Sequence, residues 1–329
     1  MSNENLAIIT PVKDELPNLP GLIRSVTTQS KPPALWMIVE DGSTDGSREF
    51  LAEQLPRMQN IDRVVLVRTS GLSRQYQLGT KYASVIATGL AALREFEQQH
   101  QFHCDFVGIL DADCTLAPDY YARLIEKFRQ LPRLGIASGI LHYRTDMGLI
   151  YDRLPMRWAR GAVRVWRAEC LEQAAYSVAK SADAISSARA WTKGWSSQAF
   201  VDSHAETREM SVRVDPRYSG ASAYYFYMPF YYLIGKCLVI CLREGRQAAW
   251  DFYRGYVDEA RSGSRIKAEP EVIAYFQWLI WRNIYERLVV LRNLLALQRQ
   301  SRKQRSQFHQ AQRSDPKPAQ PGRMLPAVK

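Results

Sequence analysis

The chain of 329 residues lacks the sequence motifs of two common nucleotide-binding folds. No Gly-Xaa-Gly-Xaa-Xaa-Gly follows its first predicted strand, and no Gly-Lys-Ser or Gly-Lys-Thr occurs anywhere, so neither a dinucleotide-binding fold nor a P-loop is indicated. Long uninterrupted apolar runs are missing as well. The most apolar segment, residues 224–242, is broken by Pro229, Gly235 and Lys236, which disfavours a membrane span. No internal repeat is present.

Cysteine is scarce, and the five cysteines are an odd number without the spacing of a metal site. Cys104 and Cys114 flank a predicted central strand, whereas Cys237 and Cys241 lie one helical turn apart in an apolar run. This pattern favours reduced core cysteines in a cytosolic protein. The N-terminus is polar for five residues before a strand-like run begins, so no signal peptide is predicted.

The positive charge is unevenly distributed along the chain. From Arg243 to the end there are 17 basic and 8 acidic residues, whereas residues 1–242 hold 27 basic and 25 acidic ones. A basic C-terminal part indicates an anionic partner, either phospholipid or nucleic acid, although a merely soluble tail has the same composition. Its aromatic residues fall in apolar helices instead of alternating with basic ones, so we expect no nucleic-acid partner.

Short apolar runs alternate with amphipathic segments along the chain. This alternation predicts an α/β fold, with a mostly parallel sheet and helices on both of its faces. The predicted strands are 6–10 (ended by Pro11), 35–39, 64–68, 106–110, 134–141 and an edge strand at 197–201. The predicted helices begin near Asp14 and then cover 48–55, 79–98, 118–131 and 184–193.

Polar clusters follow three of the predicted strands, at residues 10–15, 40–43 and 111–113. Ligands bind outside the carboxyl ends of the strands in such sheets, so these clusters are candidates for one site. Asp111 and Asp113 are two residues apart, a spacing that turns both carboxylates to the same side of an extended chain. They would repel each other unless a cation lay near them, and Mg²⁺ or Mn²⁺ suits oxygen ligands. The alternative is a solvated Asp-Xaa-Asp turn.

Residues 8–15, 38–47 and 109–113, in this order, resemble the inverting glycosyltransferases of family 2, which have the GT-A fold. The resemblance is most specific at Val-Glu-Asp-Gly-Ser-Thr-Asp-Gly-Ser, residues 39–47. It covers roughly residues 5–245. The resemblance implies a GT-A catalytic domain and a nucleotide-diphosphate sugar as donor.

Several site residues follow from this resemblance. The backbone around Thr10 and Pro11, together with Glu15, would border the nucleoside, and Asp41 would hydrogen-bond the base. Asp111 would face the ribose and the metal ion, whereas Asp113 would bind the metal directly. Each of these two acids also has a purely structural alternative: Glu15 as an acid that suits a helix N-terminus, and Asp41 as a turn cap.

Basic residues near these motifs have two interpretations each. Lys81 lies near the start of its predicted helix and could reach a phosphate, or it is an ordinary surface lysine. The five arginines between Arg153 and Arg167 surround a segment similar to the family's Gly-containing strand and Arg-bearing turn. They could meet a phosphate of the acceptor or form a solvated basic face.

The resemblance also implies a position for the catalytic base, relative to Gly194-Trp195. Family members carry an acidic pair about eleven residues before such a Gly-Trp, and here that position holds Ala182-Asp183. Asp183 corresponds to the second acid of the pair, which acts as the base in the family. It is the only Asp or Glu between Glu172 and Asp202. The alternative is an acid at a helix start. His204 is either a metal ligand, as in some relatives, or a surface histidine.

The C-terminal part is predicted to associate with a membrane. Its two apolar segments, residues 224–242 and 272–297, suit interfacial helices better than spans, and ordinary helix packing is the alternative. We therefore expect a catalytic domain at 1–222, an aromatic and amphipathic helical segment at 223–298, and a basic disordered tail at 299–329.

Together these features predict a metal-dependent, inverting glycosyltransferase, peripheral on the cytoplasmic face of the cell membrane. The Gln-Xaa-Xaa-Arg-Trp signature of processive synthases is absent, so one sugar would be added per encounter, to a lipid-linked or cell-envelope saccharide. A sugar nucleotidyltransferase is a rival, but the Gly-rich loop it uses is missing at residues 11–15. Loss of the first acid at Ala182 leaves a second rival, a degenerate nucleotide-sugar-binding protein without turnover.

Overall fold

The computed structural model describes residues 4–58, 60–69, 80–145, 148–152, 155–208, 215–279, 281–282 and 285. Within this part of the chain, nine strands form one sheet in the order β3-β2-β1-β4-β8-β6-β9-β5, with β7 paired to β6 outside this path. Helices cover both faces of the sheet. The predicted α/β class is confirmed.

The N-terminal half alternates strands and helices as predicted, and β3, β2, β1 and β4 are mutually parallel. Its elements are β1 (Leu6–Val12), α1 (Leu19–Thr27), β2 (Leu35–Glu40), α2 (Ser47–Gln54), β3 (Arg63–Arg68), α3 (Thr80–His100) and β4 (Phe106–Ile109). One boundary was wrong, because β1 does not end at Pro11. The fixed φ of proline suits an extended strand, and Pro11 pairs in register with Val39.

The second half of the sheet mixes both strand directions. It contains β5 (Thr115–Leu116), α4 (Tyr120–Gln130), β6 (Leu134–Thr145), β7 (Gly148–Tyr151), β8 (Val165–Arg167), α5 (Ala168–Ala174), α6 (Ala182–Thr192) and β9 (Ser196–Thr207). Strand β8 runs antiparallel between β4 and β6. Strand β9 pairs with β6 along most of its length, whereas the short β5 pairs with it only at Ala205 and Glu206. Among the described strands, the predicted edge strand at 197–201 therefore has a partner on one side only, as expected of an edge.

Two hydrophobic layers hold the helices on the sheet. Helices α1, α2 and α4 pack on one face, where Trp36 and Phe128 are among the largest buried side chains. Helices α3 and α5 pack on the opposite face around Trp166. Strands β1 and β2 are therefore covered on both sides, which explains why their sequences are nearly continuous apolar runs.

The C-terminal part forms helices α7 (Pro216–Tyr225), α8 (Phe230–Glu244) and α9 (Arg246–Ser262), and residues 270–279 are also helical. Pro229 separates α7 from α8. Helices α7 and α9 touch through their backbones, because a Cβ added at Gly220 or Gly255 would lie 1.9 Å from a carbonyl oxygen of the other helix. None of the described helices is long and apolar enough to cross a membrane. The predicted tail and most of the predicted helix at 272–297 lie outside the described residues.

Candidate active site

The carboxyl ends of β1, β2 and β4 meet at one edge of the sheet, because the three strands are parallel neighbours. Glu15 follows β1, Asp41 follows β2, and Asp111 and Asp113 follow β4. The structure therefore gathers the three polar clusters at this edge. The loop after β1 is held to the loop after β2 by hydrogen bonds from the backbone of residues 14–16 to side chains of residues 43–47.

Asp41 lies buried at the end of β2. Lys81 Nζ lies 3.1 Å from its Oδ2, and Thr69 Oγ1 donates a 2.6 Å hydrogen bond to its Oδ1. The side chain of Lys81 is only 11% exposed, so it is not an ordinary surface lysine. Nor is Asp41 a cap of its own turn, since it is Glu40 that accepts the hydrogen bond from the Ser43 backbone.

Thr10 and Pro11 lie at the end of β1, in the buried centre of the sheet. The hydroxyl of Thr10 accepts a 2.9 Å hydrogen bond from Trp36 Nε1. Because the hydroxyl of Thr10 is hydrogen-bonded to a core tryptophan, the backbone of Thr10 is the part that remains for contact with a ligand.

Three carboxylates lie close together next to these loops. Tyr82 donates a 2.5 Å hydrogen bond to Asp111 Oδ1. Burial raises the pKa of the Asp111 carboxyl to about 7, and the negative charges of Asp113 and Glu15 add to this shift. Burial also raises the pKa of Glu15, and the charge of Asp113 acts in the same direction. The charge of Arg208 lowers the pKa of Glu15, but burial outweighs it.

A divalent cation fits this cluster by its donor chemistry. Asp111 and Asp113 offer hard oxygen ligands, and a nearby cation would offset the repulsion that raises the pKa of Asp111. Among the described residues, no group of three or more His, Cys, Asp or Glu side chains could hold a metal ion. Phosphate oxygens or water would have to complete the coordination shell. His204 is exposed and packs against His142, with the ring centroids 5.3 Å apart and the rings tilted by 34°.

Asp111 and Asp183 line the same cleft, which has a volume of about 330 Å³. Asp183 lies in the first turn of α6, where the helix dipole favours a carboxylate, and its side chain is 54% exposed. Beneath it, Arg164 NH2 lies 3.4 Å from Asp183 Oδ2. Gly161 leaves room for this carboxylate, because a Cβ at that position would lie 3.1 Å from Asp183 Oδ2.

Five residues in or next to the cleft were not identified from the sequence. They are Tyr82, Arg164, Tyr176, Arg208 and Tyr218. Arg164 was counted in a basic segment thought to face solvent or a phosphate, yet Arg164 and Arg160 are buried. Arg164 stands between Val163 and Val165 next to β8, and this apolar context was the available signal for burial. No local signal could identify Tyr218, since it lies on α7, far along the chain from the rest of the cleft.

Comparison with known proteins finds a family match for the N-terminal part of the chain. Residues 7–85 match the family model described as glycosyl transferase family 2. A search of curated protein sequences finds no match. Residues 7–85 include β1, β2 and β3, as well as Asp41 and Lys81.

Solved structures are similar to the chain at low sequence identity. The mannosyltransferase PcManGT from Pyrobaculum calidifontis, in complex with GDP-Man and Mn²⁺, is 14% identical with a TM-score of 0.51; the alignment covers 87% of this chain and 88% of that chain. S. aureus TarS 1–349 with UDP-GlcNAc is 11% identical over 83% of this chain and 78% of that one, with a TM-score of 0.44. At such identities the likeness to PcManGT concerns the fold alone. Residues 7–85 are thus similar to glycosyl transferase family 2, and the chain as a whole is similar in fold to PcManGT.

Proposed function

We propose that the protein transfers a single sugar from a nucleotide-diphosphate sugar to a hydroxyl group, with inversion, in the cleft between Asp111 and Asp183. One observation carries this proposal: the acid that follows β4 and the acid that begins α6 line the same cleft of about 330 Å³. Inverting transfer requires a donor site on one side of the sugar and a base on the other, and a cleft with acids from two elements suits this requirement.

The donor would bind at the edge of the sheet. In this proposal the backbone of Thr10 and Pro11, together with Glu15, borders the nucleoside, and Asp41 hydrogen-bonds the base. The ammonium group of Lys81 is engaged by Asp41, so we assign Lys81 to holding Asp41 in place and not to binding a phosphate directly. A sugar nucleotidyltransferase is disfavoured, because residues 11–15 form no Gly-rich loop.

Asp113, assisted by Asp111, would hold Mg²⁺ or Mn²⁺. When bound, the cation supplies charge neutralisation for the diphosphate leaving group. Asp113 Oδ2 already receives a 3.2 Å hydrogen bond from Thr207, which fixes the orientation of the carboxylate. That PcManGT was solved with Mn²⁺ is consistent with this part of the proposal.

Asp183 would act as the general base. Its carboxylate takes the proton of the acceptor hydroxyl as the hydroxyl oxygen bonds to the anomeric carbon, and the bond from that carbon to the diphosphate breaks on the opposite side. Arg164 keeps the carboxylate near Gly161, and Tyr82, Tyr176 and Tyr218 supply ring surfaces along the cleft. Ala182, at the position of the missing acid, also lines the cleft, so Asp183 is the acid that α6 presents there.

The substitution Asp183→Asn tests the base. We expect the transfer rate to fall by about 10²- to 10⁴-fold, while thermal shift with UDP-, GDP- and dTDP-sugars still detects the same donor, since a ligand of the native state raises Tm. Asp202→Asn, outside the cleft on β9, is the control. Full activity of Asp183→Asn would contradict the base assignment. If the unchanged protein binds donor but never releases nucleoside diphosphate, the binding-protein alternative is correct.

We further propose that the acceptor is a lipid-linked or cell-envelope saccharide and that the protein docks peripherally on the cytoplasmic face of the membrane. Support comes from α8, which exposes a row of apolar side chains: Phe230, Tyr231, Ile234, Leu238 and Leu242. Arg243 and Arg246, at the junction of α8 and α9, are exposed as well. Apolar and aromatic side chains beside arginines suit the interface of an anionic bilayer. The division into domains at 1–222, 223–298 and 299–329 belongs to this proposal.

Sedimentation with lipid vesicles tests the docking. We expect the protein to bind phosphatidylcholine vesicles that contain phosphatidylglycerol, and to bind pure phosphatidylcholine less. Ile234→Asp and Leu238→Asp should abolish binding, whereas Val201→Asp, at an exposed apolar position on β9, should not. Equal loss in all three variants, or no binding by the unchanged protein, would contradict the docking proposal and leave the transferase proposal intact.

A further inference from the structure

The guanidinium group of Arg208 bridges two acids of the donor site. Its Nε lies 2.9 Å from Asp113 Oδ2, and its NH2 lies 3.1 Å from Glu15 Oε1. Arg208 directly follows Thr207, the last residue of β9, whose hydroxyl also contacts Asp113. The resemblance to family 2 assigned no role to this arginine.

The arginine lies where positive charge is needed. Glu15, Asp111 and Asp113 repel one another, and the charge of Arg208 offsets part of that repulsion at Glu15. Its side chain is 62% exposed, whereas those of Glu15 and Asp113 are 14% and 16% exposed. The two acids are therefore held in place by the protein, while the arginine reaches them from the solvent side. Such exposed pairs are weak and readily exchanged.

We infer that Arg208 is a tethered counter-cation, which neutralises Asp113 and Glu15 while the donor site is empty and moves onto the diphosphate when a divalent cation takes its place on Asp113. This inference rests on the proposed function, because it requires a metal-bound diphosphate at Asp113. It assigns two anionic partners to one side chain: the carboxylates in the free protein and the phosphate oxygens in the complex.

The inference has a thermodynamic consequence. A divalent cation that binds alone must displace Arg208 and leave it unpaired, whereas a cation that arrives with a diphosphate offers Arg208 a new partner. Cation and diphosphate should therefore bind with positive coupling, and each should strengthen the other by the same factor. Removal of the arginine should relieve the competition and weaken the coupling.

Titration with Mn²⁺, followed by electron paramagnetic resonance of the free ion, measures both effects without a reaction. For Arg208→Ala we expect Mn²⁺ alone to bind roughly 1.5- to fivefold more tightly than to the unchanged protein, the factor typical of exposed ion pairs. Adding inorganic pyrophosphate should then improve Mn²⁺ affinity by a smaller factor in the variant than in the unchanged protein. Arg144→Ala is the matched control, since Arg144 pairs with Glu206 at 2.7 Å and touches neither Asp113 nor Glu15.

The outcomes separate this inference from the proposed function. If the unchanged protein binds Mn²⁺ but Arg208→Ala binds it with the same or lower affinity, the role of Arg208 is overturned and the proposed function is not. The same gain in Arg144→Ala would also overturn it, because a general change in surface charge would then explain the effect. Absence of Mn²⁺ binding by all three proteins, with pyrophosphate present, would overturn the metal site of the proposed function and this inference with it.

Discussion

The guanidinium group of Arg164 lies 3.4 Å from the carboxylate of Asp183, although the side chain of Arg164 is 2% exposed and that of Asp183 is 54% exposed. The hydrogen bonds from Arg164 to the carbonyl oxygens of Asp183 and Ala159 are long, at 3.3 and 3.4 Å, and its Nε has no partner among the residues that the structure describes. A buried charge with such weak pairing contributes little to folding. Its position under the proposed base favours a role in function.

Replacement of Arg164 by Met should therefore separate activity from stability. We expect transfer to slow at least tenfold, because Asp183 loses the group that positions it, while the free energy of unfolding changes by less than about 1 kcal/mol. Chemical denaturation and steady-state rates measure the two quantities. Arg160→Met is the contrasting variant. Arg160 pairs with the buried Asp152, so its loss should cost about 3 to 5 kcal/mol. Equal destabilisation of both variants would argue for a structural role of Arg164.

Asp111→Asn should stabilise the metal-free protein in a pH-dependent way. Burial and the charge of Asp113 raise the folded pKa of Asp111 to about 7, above the ordinary value of 3.8. Between these values the folded protein keeps a proton that the unfolded chain has lost, so the contribution of Asp111 to stability falls as the pH rises. Asparagine has no such penalty, and its amide oxygen can still accept the Tyr82 hydrogen bond.

Chemical denaturation in EDTA measures this effect. The gain in unfolding free energy of Asp111→Asn should be small at pH 4.5 and should reach a plateau above pH 7. Exposed Asp62→Asn controls for the loss of one negative charge. A gain that is independent of pH would contradict the assignment to Asp111.

Gly161→Ala should impair the reaction more than the fold. The added Cβ would lie 3.1 Å from Asp183 Oδ2 and 3.5 Å from Arg164 NH2. Since the Asp183 side chain is partly exposed, its carboxylate can move away from the added methyl group. The displaced base should then lower the transfer rate by about tenfold or more. Melting temperature and transfer rate check this. Gly235→Ala, where an added Cβ meets no atom within 4 Å, should leave the rate unchanged, and a large drop in Tm for Gly161→Ala would contradict the prediction.

Lys81→Met should weaken nucleoside recognition through Asp41. Loss of the buried ammonium leaves the Asp41 carboxylate with Thr69 as its remaining partner, which should cost up to about 3 kcal/mol of stability. Calorimetry should then show weaker binding of the nucleoside diphosphate but unchanged binding of pyrophosphate with Mn²⁺. Lys127→Met, which breaks the more exposed pair with Asp202, is the control. Weaker pyrophosphate binding would instead indicate that Lys81 contacts a phosphate.

Much of the catalytic fold could be predicted because its signals are local. The apolar runs of β1, β2 and β4 reflect strands buried on both faces, and the polar residues after them mark the strand ends. The strand at 197–201 was predicted, but the extension of β9 to Thr207 was not, since its pairing there with β5 depends on a two-residue strand that no pattern marks. Asp183 was located through the family spacing, but its proximity to Arg164 and Gly161 was not.

The sequence by itself determined the order of strands and helices, the acids that follow the strands, and the family to which these motifs are similar, because hydrophobic period and motif spacing are properties of neighbouring residues. Only the tertiary structure decided which charges meet. Arg208 and Glu15 are 193 positions apart, yet they share a hydrogen bond. Such pairings depend on the position of β9 in the sheet and on which charged side chains become buried when the core packs. A short stretch of sequence specifies neither.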